Sequence, residues 1–334
     1  MTRYWGYRID RDYRDWFLEQ LKQGILRQGW GYEEGQNLRI LSVDKGASGN
    51  LRMLTVKKGD ILLVPSLPNS DEVAVVVATE DWDKGYTFEI AEMEDGKRDY
   101  GHKFPAKLIK SFKRDSSIVK GGIRSSLHCI SRFWNMDGKA NEINEILNAD
   151  DKILGVSQTL RDRFVSSIDN TFYSLFDTDK FSEQLKETFD KQFNSAEWES
   201  PLVDGLKLLY PEPFFYVEHI GGHSEYQHGQ DISISFSDPL SEKVYIIAIQ
   251  VKNYTGIVDE KKLLDQINKA DTYWEGDNLQ LLRKIVVITG AKEEDNKEMI
   301  EHNPNITFIF ANRLKEILLE IALKHLGKKN FSFK

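Results

Sequence analysis

One segment constrains the fold of this 334-residue chain more than any other: HGQDISISFSDPLSEKVYIIAIQVKNY, running from His228 to Tyr254. Two strand-like runs, DISISF and VYIIAIQVK, flank the turn DPLSEK, which is the pattern of an antiparallel hairpin. With the hairpin centred between Leu240 and Ser241, Asp231 faces Gln250, and facing residues share one side of a sheet. Because side chains alternate with period two, Lys252 projects from the same side as Gln250. Ile247, Ile249 and Val251 then point to the opposite, buried face. An apolar hairpin therefore carries a carboxylate, an amide and an ammonium at one end, where burial is costly unless the groups are paired or bound to something.

The chemistry that wants these groups together is limited. An aspartate and a carbonyl oxygen are hard ligands suited to Mg²⁺, with Mn²⁺ as a substitute, and Mg²⁺ keeps several waters and binds phosphate oxygens through few protein groups. A lysine beside them can orient or deprotonate an attacking water, or neutralise charge building on phosphorus. Metal-assisted phosphodiester hydrolysis fits all three. The alternative is a surface hairpin whose lysine extends into water at a strand end.

The composition, 40% apolar and 29% charged, is that of a globular protein. No run approaches the roughly 18 apolar residues of a membrane span, and MTRYWGYRID lacks the apolar core of a signal peptide, so a cytoplasmic protein with no membrane partner is expected. Cys129 is the single cysteine, which excludes an internal disulfide and a cysteine-based zinc cage and leaves a small buried hydrophobe as its expected role. The net charge of −8 argues weakly against nucleic acid. Its distribution argues the other way, because the segment from Lys97 to Arg124 is rich in Lys and Arg and holds only Asp99 and Asp115 as acids. Lys103, Lys107, Lys110, Lys113 and Arg114 are thus candidate phosphate contacts, against the alternative of a solvated basic face.

Residues 1–135 read as β-rich, with LRMLTV, DILLVP and EVAVVVA as short strands separated by the turns KKGD and LPNSD, and a helix over 11–26. Residues 136–193 read as a helical connector with apolar positions at spacings of three and four. From 194 to 334 helices mix with apolar strands. This predicts an α/β domain, a mixed sheet flanked by helices.

Gly229-Gln230-Asp231 followed by Gln250-Val251-Lys252 resembles the G-x-D and Q-x-K signature of Mrr-like nucleases, a branch of the PD-(D/E)XK restriction-endonuclease superfamily. The resemblance covers 194–334 and implies a restriction-endonuclease-like fold. In that branch Gln250 stands where the wider superfamily has a second acid, leaving one fewer negative charge on the metal. The resemblance also implies an acid on the helix preceding the hairpin, either Glu199 or Glu197, and a glutamine on the next helix, Gln266. It implies catalytic roles for Asp231, Gln250, Lys252, Glu199 and Gln266, with Asp231, Gln250 and Glu199 on the metal. Pro201 bears on the choice of acid: with Ser200 as cap and Pro201 as first helical residue, Glu199 falls just outside the helix. His219, His223 and His228 lack a spacing that enforces convergence on a metal, and His228, next to Gly229, is the one expected to touch substrate.

Trp5-Gly6, Leu26 to Gly31 and Lys58-Gly59-Asp60 are similar to landmarks of PUA-like barrels, including EVE and YTH domains. That likeness implies a β-rich barrel holding a modified base in an aromatic cage. An extruded base must be compensated by stacking. Trp30 is the first candidate, then Trp5 and Trp82, with core packing as the alternative for each, and Arg27 is a phosphate contact beside the cage. The Lys-Gly-Asp step needs only a turn that starts a strand. The combined expectation is a modification-dependent endonuclease of restriction or phage defence, acting with Mg²⁺ on double-stranded DNA carrying a modified base, as a homodimer so that both strands are cut. The rivals are a restriction enzyme reading unmodified sequence and a non-catalytic binder of modified RNA or DNA.

Overall fold

The computed structural model describes residues 2–42, 45–174, 180–221 and 225–327. The chain divides into two compact units, Met1–Gln158 and Thr159–Lys334. The division falls inside the expected connector. Helices Ala140–Asn148 and Asp151–Leu154 belong to the first unit, where Ile143, Ile146 and Leu154 bury against Leu63, Val75 and Phe112. Helices Leu160–Ser174 and Phe181–Gln192 belong to the second, where Phe164, Ile168, Leu185 and Phe189 join its core. A helix with one apolar stripe goes to whichever sheet offers a matching face.

Unit 1 contains β1 (Tyr4–Tyr7), β2 (Ile25–Gln28), β3 (Ile61–Pro65), β4 (Glu72–Ala78), β5 (Thr87–Phe88), β6 (Ala91–Glu92), β7 (Arg98–Asp99), β8 (His102–Lys113) and β9 (Phe133–Asn135). The main sheet runs β2-β8-β4-β3-β1-β9, with β5 also on β8, while β6 and β7 pair separately. Alternation puts Trp5, Leu62, Val64, Val76 and Phe104 into one core, and Ile61, Leu63, Val75 and Phe112 into a second beneath the helices. DILLVP and EVAVVVA form β3 and β4 as expected. LRMLTV does not form a strand: Leu51–Thr55 is a 3₁₀ helix that buries Met53 and leaves Leu51 exposed. The expected helix over 11–26 is shorter, Arg14–Lys22, and ends where Gly24 turns the chain with φ of 87° into β2.

The turn before β3 shows why Lys58-Gly59-Asp60 is needed structurally. Gly59 takes φ of 88°, and the Asp60 carboxylate accepts the N–H groups of Arg3 and Lys57 and the Trp5 indole N–H.

Unit 2 is a five-stranded mixed sheet in the order β10 (Tyr216–His219), β11 (Ile232–Ser237), β12 (Val244–Lys252), β13 (Leu279–Ile288) and β14 (Ile306–Ile309). The first three strands are antiparallel neighbours, and β12, β13 and β14 are parallel. Helices lie on both faces. Ile249, Val251 and Val287 pack on one side with Leu202, Leu314 and Leu318, while Ala248, Val286 and Ile288 pack on the other with Leu263, Ile267 and Ala270. No helix among the described residues is long and apolar enough to cross a membrane.

Candidate functional site

The expected hairpin forms, pairing Ile232 with Ile249 and Ile234 with Ile247. One step beyond, the Asp231 N–H donates to Ile249 O at 2.9 Å and the Asp231 Oδ2 accepts the Val251 N–H at 2.6 Å. A carboxylate thus continues the ladder where β11 begins, which holds Asp231 against β12 beside Gln250. Asp231 and Gln250 are both fully buried. Gln250 shares the side of Ala248, facing helix Glu260–Ile267, and its Nε2 donates to Gln266 Oε1 at 3.1 Å. That bond orients the amide: Gln250 Oε1 is buried and accepts no hydrogen bond among the described residues. Lys252, half-buried, ends the strand on the same side.

The orphaned Gln250 oxygen is the test of whether these residues fit a metal. A buried carbonyl oxygen without a donor is costly in water-free surroundings, and a hard cation beside a carboxylate relieves that cost. An amide oxygen and a carboxylate are a donor set that fits a hard cation such as Mg²⁺ or Mn²⁺. Among the described residues no three His, Cys, Asp or Glu side chains cluster as a metal cage.

Gly229 explains the glycine of the motif. Its φ is 67°, and a Cβ there would lie 1.8 Å from Gln266 O, so the turn into Asp231 lies directly on the end of the helix carrying Gln266. Glu199 is inside its helix, not outside it: the helix spans Glu199–Leu209 with Trp198 as cap. Pro201 is tolerated because its missing N–H falls in the first turn, where no intrahelical acceptor exists. The Glu199 Oε2 lies 2.7 Å from His219 Nε2. Glu197 instead accepts the Asn194 N–H at 3.0 Å and closes a turn. His223 lies outside the described residues. His228, expected to touch substrate, is buried against Tyr273 with ring centroids 5.1 Å apart, because Gly229 folds the chain back onto the helices.

In unit 1 the three expected cage tryptophans separate. Trp5 is buried and stacks on Phe133 at 4.5 Å; Trp82 is buried and stacks on Phe104 at 4.4 Å. Both are core residues, since their indole N–H groups are satisfied inside by Asp60 and by Pro105 O. Trp30 remains 43% exposed and lines a cleft of about 380 Å³ with Arg8, Arg11, Asp99, Tyr100 and Arg132. Its backbone is left-handed, with φ of 63°, and His102 holds its carbonyl at 3.0 Å. The other His102 nitrogen, Nδ1, lies 2.9 Å from the Tyr86 hydroxyl. Since Nε2–H must donate to a carbonyl, Nδ1 accepts and the ring is neutral; burial pushes its pKa down to about 4. Tyr100 donates to Asp10 at 2.5 Å, and burial followed by that carboxylate pushes its phenol up.

The expected phosphate contacts are mostly committed elsewhere. Arg27 is buried and donates to Gln20, Glu89 O and Tyr100 O, so it braces β2 from within. Lys103 pairs with Glu89 at 2.6 Å and Lys113 with Asp71 at 2.9 Å. Lys110 caps the Leu147 and Ala149 carbonyls, and Arg114 donates to Ser70 O. Lys107 is exposed. The basic run is β8, a central strand, and carboxylates on neighbouring segments neutralise most of it. Cys129 is half-buried with a free thiol.

No protein-family model matches the chain, and no curated protein does. Among solved structures it is similar to restriction endonuclease FokI, alone and bound to DNA, with 14% identity in each case and TM-scores of 0.32 and 0.28. These alignments cover 52% and 54% of this chain and 32% and 33% of FokI, so the chain spans about a third of that protein. It is also similar to MspJI restriction endonuclease in complex with a 27-mer oligonucleotide, with 12% identity and a TM-score of 0.26, covering 93% of this chain and 71% of that one. At these TM-scores the backbones diverge widely, and no chemistry follows from the likeness.

Proposed function

We propose that this protein is a metal-dependent DNA endonuclease of the restriction type, in which unit 2 hydrolyses a phosphodiester and unit 1 receives a modified base. The observation carrying the reading is the Asp231 carboxylate held on the Val251 N–H beside the orphaned Gln250 oxygen, with Lys252 two residues on along the same strand. Asp231 and Gln250, with Glu199 as the further acid, would hold Mg²⁺, which would supply charge neutralisation on the phosphate. Gln266 accepts from the Gln250 amide nitrogen, which leaves the amide oxygen for a cation. Lys252 orients the attacking water or neutralises the phosphate oxygen that gains charge. Gly229 and the Val251 N–H set the Asp231 carboxylate in place.

In unit 1 the cleft at Trp30 is the site for the base. The Trp30 indole is 43% exposed and carries the Arg132 guanidinium over its ring at 4.8 Å, so a base stacks there by displacing Arg132; Asp99 and Tyr100 offer polar edges, and Arg8 and Arg11 offer charge for the flanking phosphates. This replaces a cage of three tryptophans with one tryptophan in a charged cleft. A homodimer would supply two active sites for cutting both strands.

The test is incubation with Mg²⁺ and matched DNAs carrying methyladenine, methylcytosine, hydroxymethylcytosine or no modification. Cleavage confined to one modified substrate supports both halves of the reading; cleavage of unmodified DNA alone overturns the reader assignment. A protein that binds but cuts none of them, with either Mg²⁺ or Mn²⁺, is not the nuclease proposed.

A further inference from the structure

On the reading of unit 2 as a metal-dependent nuclease, we propose that His219 is a positioning residue that holds Glu199 in the orientation needed to join Asp231 and Gln250 around a divalent cation. β10 is the strand that brings it there. His219 pairs with Ile232, the residue after Asp231, so it stands at the same end of the sheet as the aspartate. Directly after it the chain turns, and the N–H groups of Ile220 and Gly221 both donate to Asp231 O, at 2.7 and 3.0 Å.

Glu199 meets this turn from the helix. A Cβ on Gly221 would lie 2.5 Å from Glu199 Oε2 and 3.0 Å from His219 Nε2, so the carboxylate and imidazole both rest on the Gly221 backbone. One short turn therefore gathers the Asp231 main chain, the Glu199 carboxylate and the His219 ring. A carboxylate can only accept, so the His219 Nε2 facing it at 2.7 Å carries the proton. Donation to Oε2 fixes the Glu199 rotamer and leaves Oε1 available to a cation. This is the arrangement by which outer partners orient metal-binding carboxylates. Neither group is sealed from water, with side-chain exposures of 45% for His219 and 21% for Glu199, so the pair remains accessible to an incoming ion.

The experiment is calorimetric titration of the full chain with Mn²⁺, without DNA. The variants are H219A, H219Q, E199Q, the double variant H219A/E199Q, D231N, and H302A as an exposed histidine control. H219A is expected to weaken Mn²⁺ binding on the order of 10-fold. H219Q, whose amide can donate to Glu199, recovers most of that loss. H219A/E199Q binds no more weakly than E199Q alone, because His219 acts through Glu199. Equal affinity of H219A and parent, or additive losses in the double variant, overturns the proposal; additivity would make His219 a ligand in its own right. Unchanged binding in E199Q also overturns it while leaving the nuclease reading intact. Unchanged binding in D231N instead removes the nuclease reading on which it rests. Far-ultraviolet circular dichroism of each variant separates lost metal from lost fold, and H219Q keeps the test decisive where H219A fails to fold.

Discussion

Replacing Gly229 by alanine tests how the candidate site is built. The residue sits at φ of 67°, where an L side chain costs about 1–2 kcal/mol. The new methyl would meet Gln266 O at 1.8 Å, and that atom is backbone, so no rotamer change clears it. Either the turn lifts or the helix end gives way, and a shift of the helix end also breaks the Gln250–Gln266 hydrogen bond, worth about 1 kcal/mol. The combined destabilisation is about 3 kcal/mol, or roughly two orders of magnitude in an opening equilibrium. Hydrogen exchange read by mass spectrometry on peptides covering Ile232–Lys252 reports it locally, without interference from unit 1. Exchange in G229A within about threefold of the parent would show that the glycine is not there to permit close approach. The reasoning about how Asp231 is placed would then be wrong.

Further expectations follow from the same geometry. K252A abolishes cleavage while leaving DNA binding within about twofold, since one lysine contributes little to a whole phosphate footprint; filter binding and plasmid nicking read the two separately. W30A weakens binding of the modified substrate by about 1–3 kcal/mol, the worth of one stacked base, whereas binding of unmodified DNA is unaffected in a fluorescence anisotropy titration. The His102 pKa, about 4 in the folded chain against 6.5 when unfolded, makes unit 1 pH-sensitive. The folded state excludes a proton that the unfolded state accepts, so this stabilisation is complete above pH 6.5 and is lost as pH falls towards 4, by about 3 kcal/mol in total. Exchange of peptides from β8, followed from pH 7 to pH 4 and compared with H102Q, measures the difference; identical pH profiles would refute it.

Sequence alone determined the hairpin and what it presents. Period-two alternation and a polar turn are local properties, so the pairing that sets Asp231 beside Gln250, the side shared with Lys252, and the burial of Ile249 and Val251 all follow from neighbours in the chain. The mixed sheet with helices on both faces is legible for the same reason. Tertiary structure decided the rest, because fractional burial and partner choice depend on segments far apart in sequence. Trp5, Trp30 and Trp82 are equivalent as letters, yet only Trp30 reaches a surface, since the other two lie under strands that meet only when the sheet closes over them. Lys103, Lys110 and Lys113 look like a free basic patch until β8 is placed beside the loops and helix that bear their counter-ions, Glu89, Asp151 and Asp71. Glu199 and His219, twenty residues apart, become a pair only where a helix start meets a strand end. Periodicity specifies which way a side chain points, and only the folded sheet specifies what it meets there.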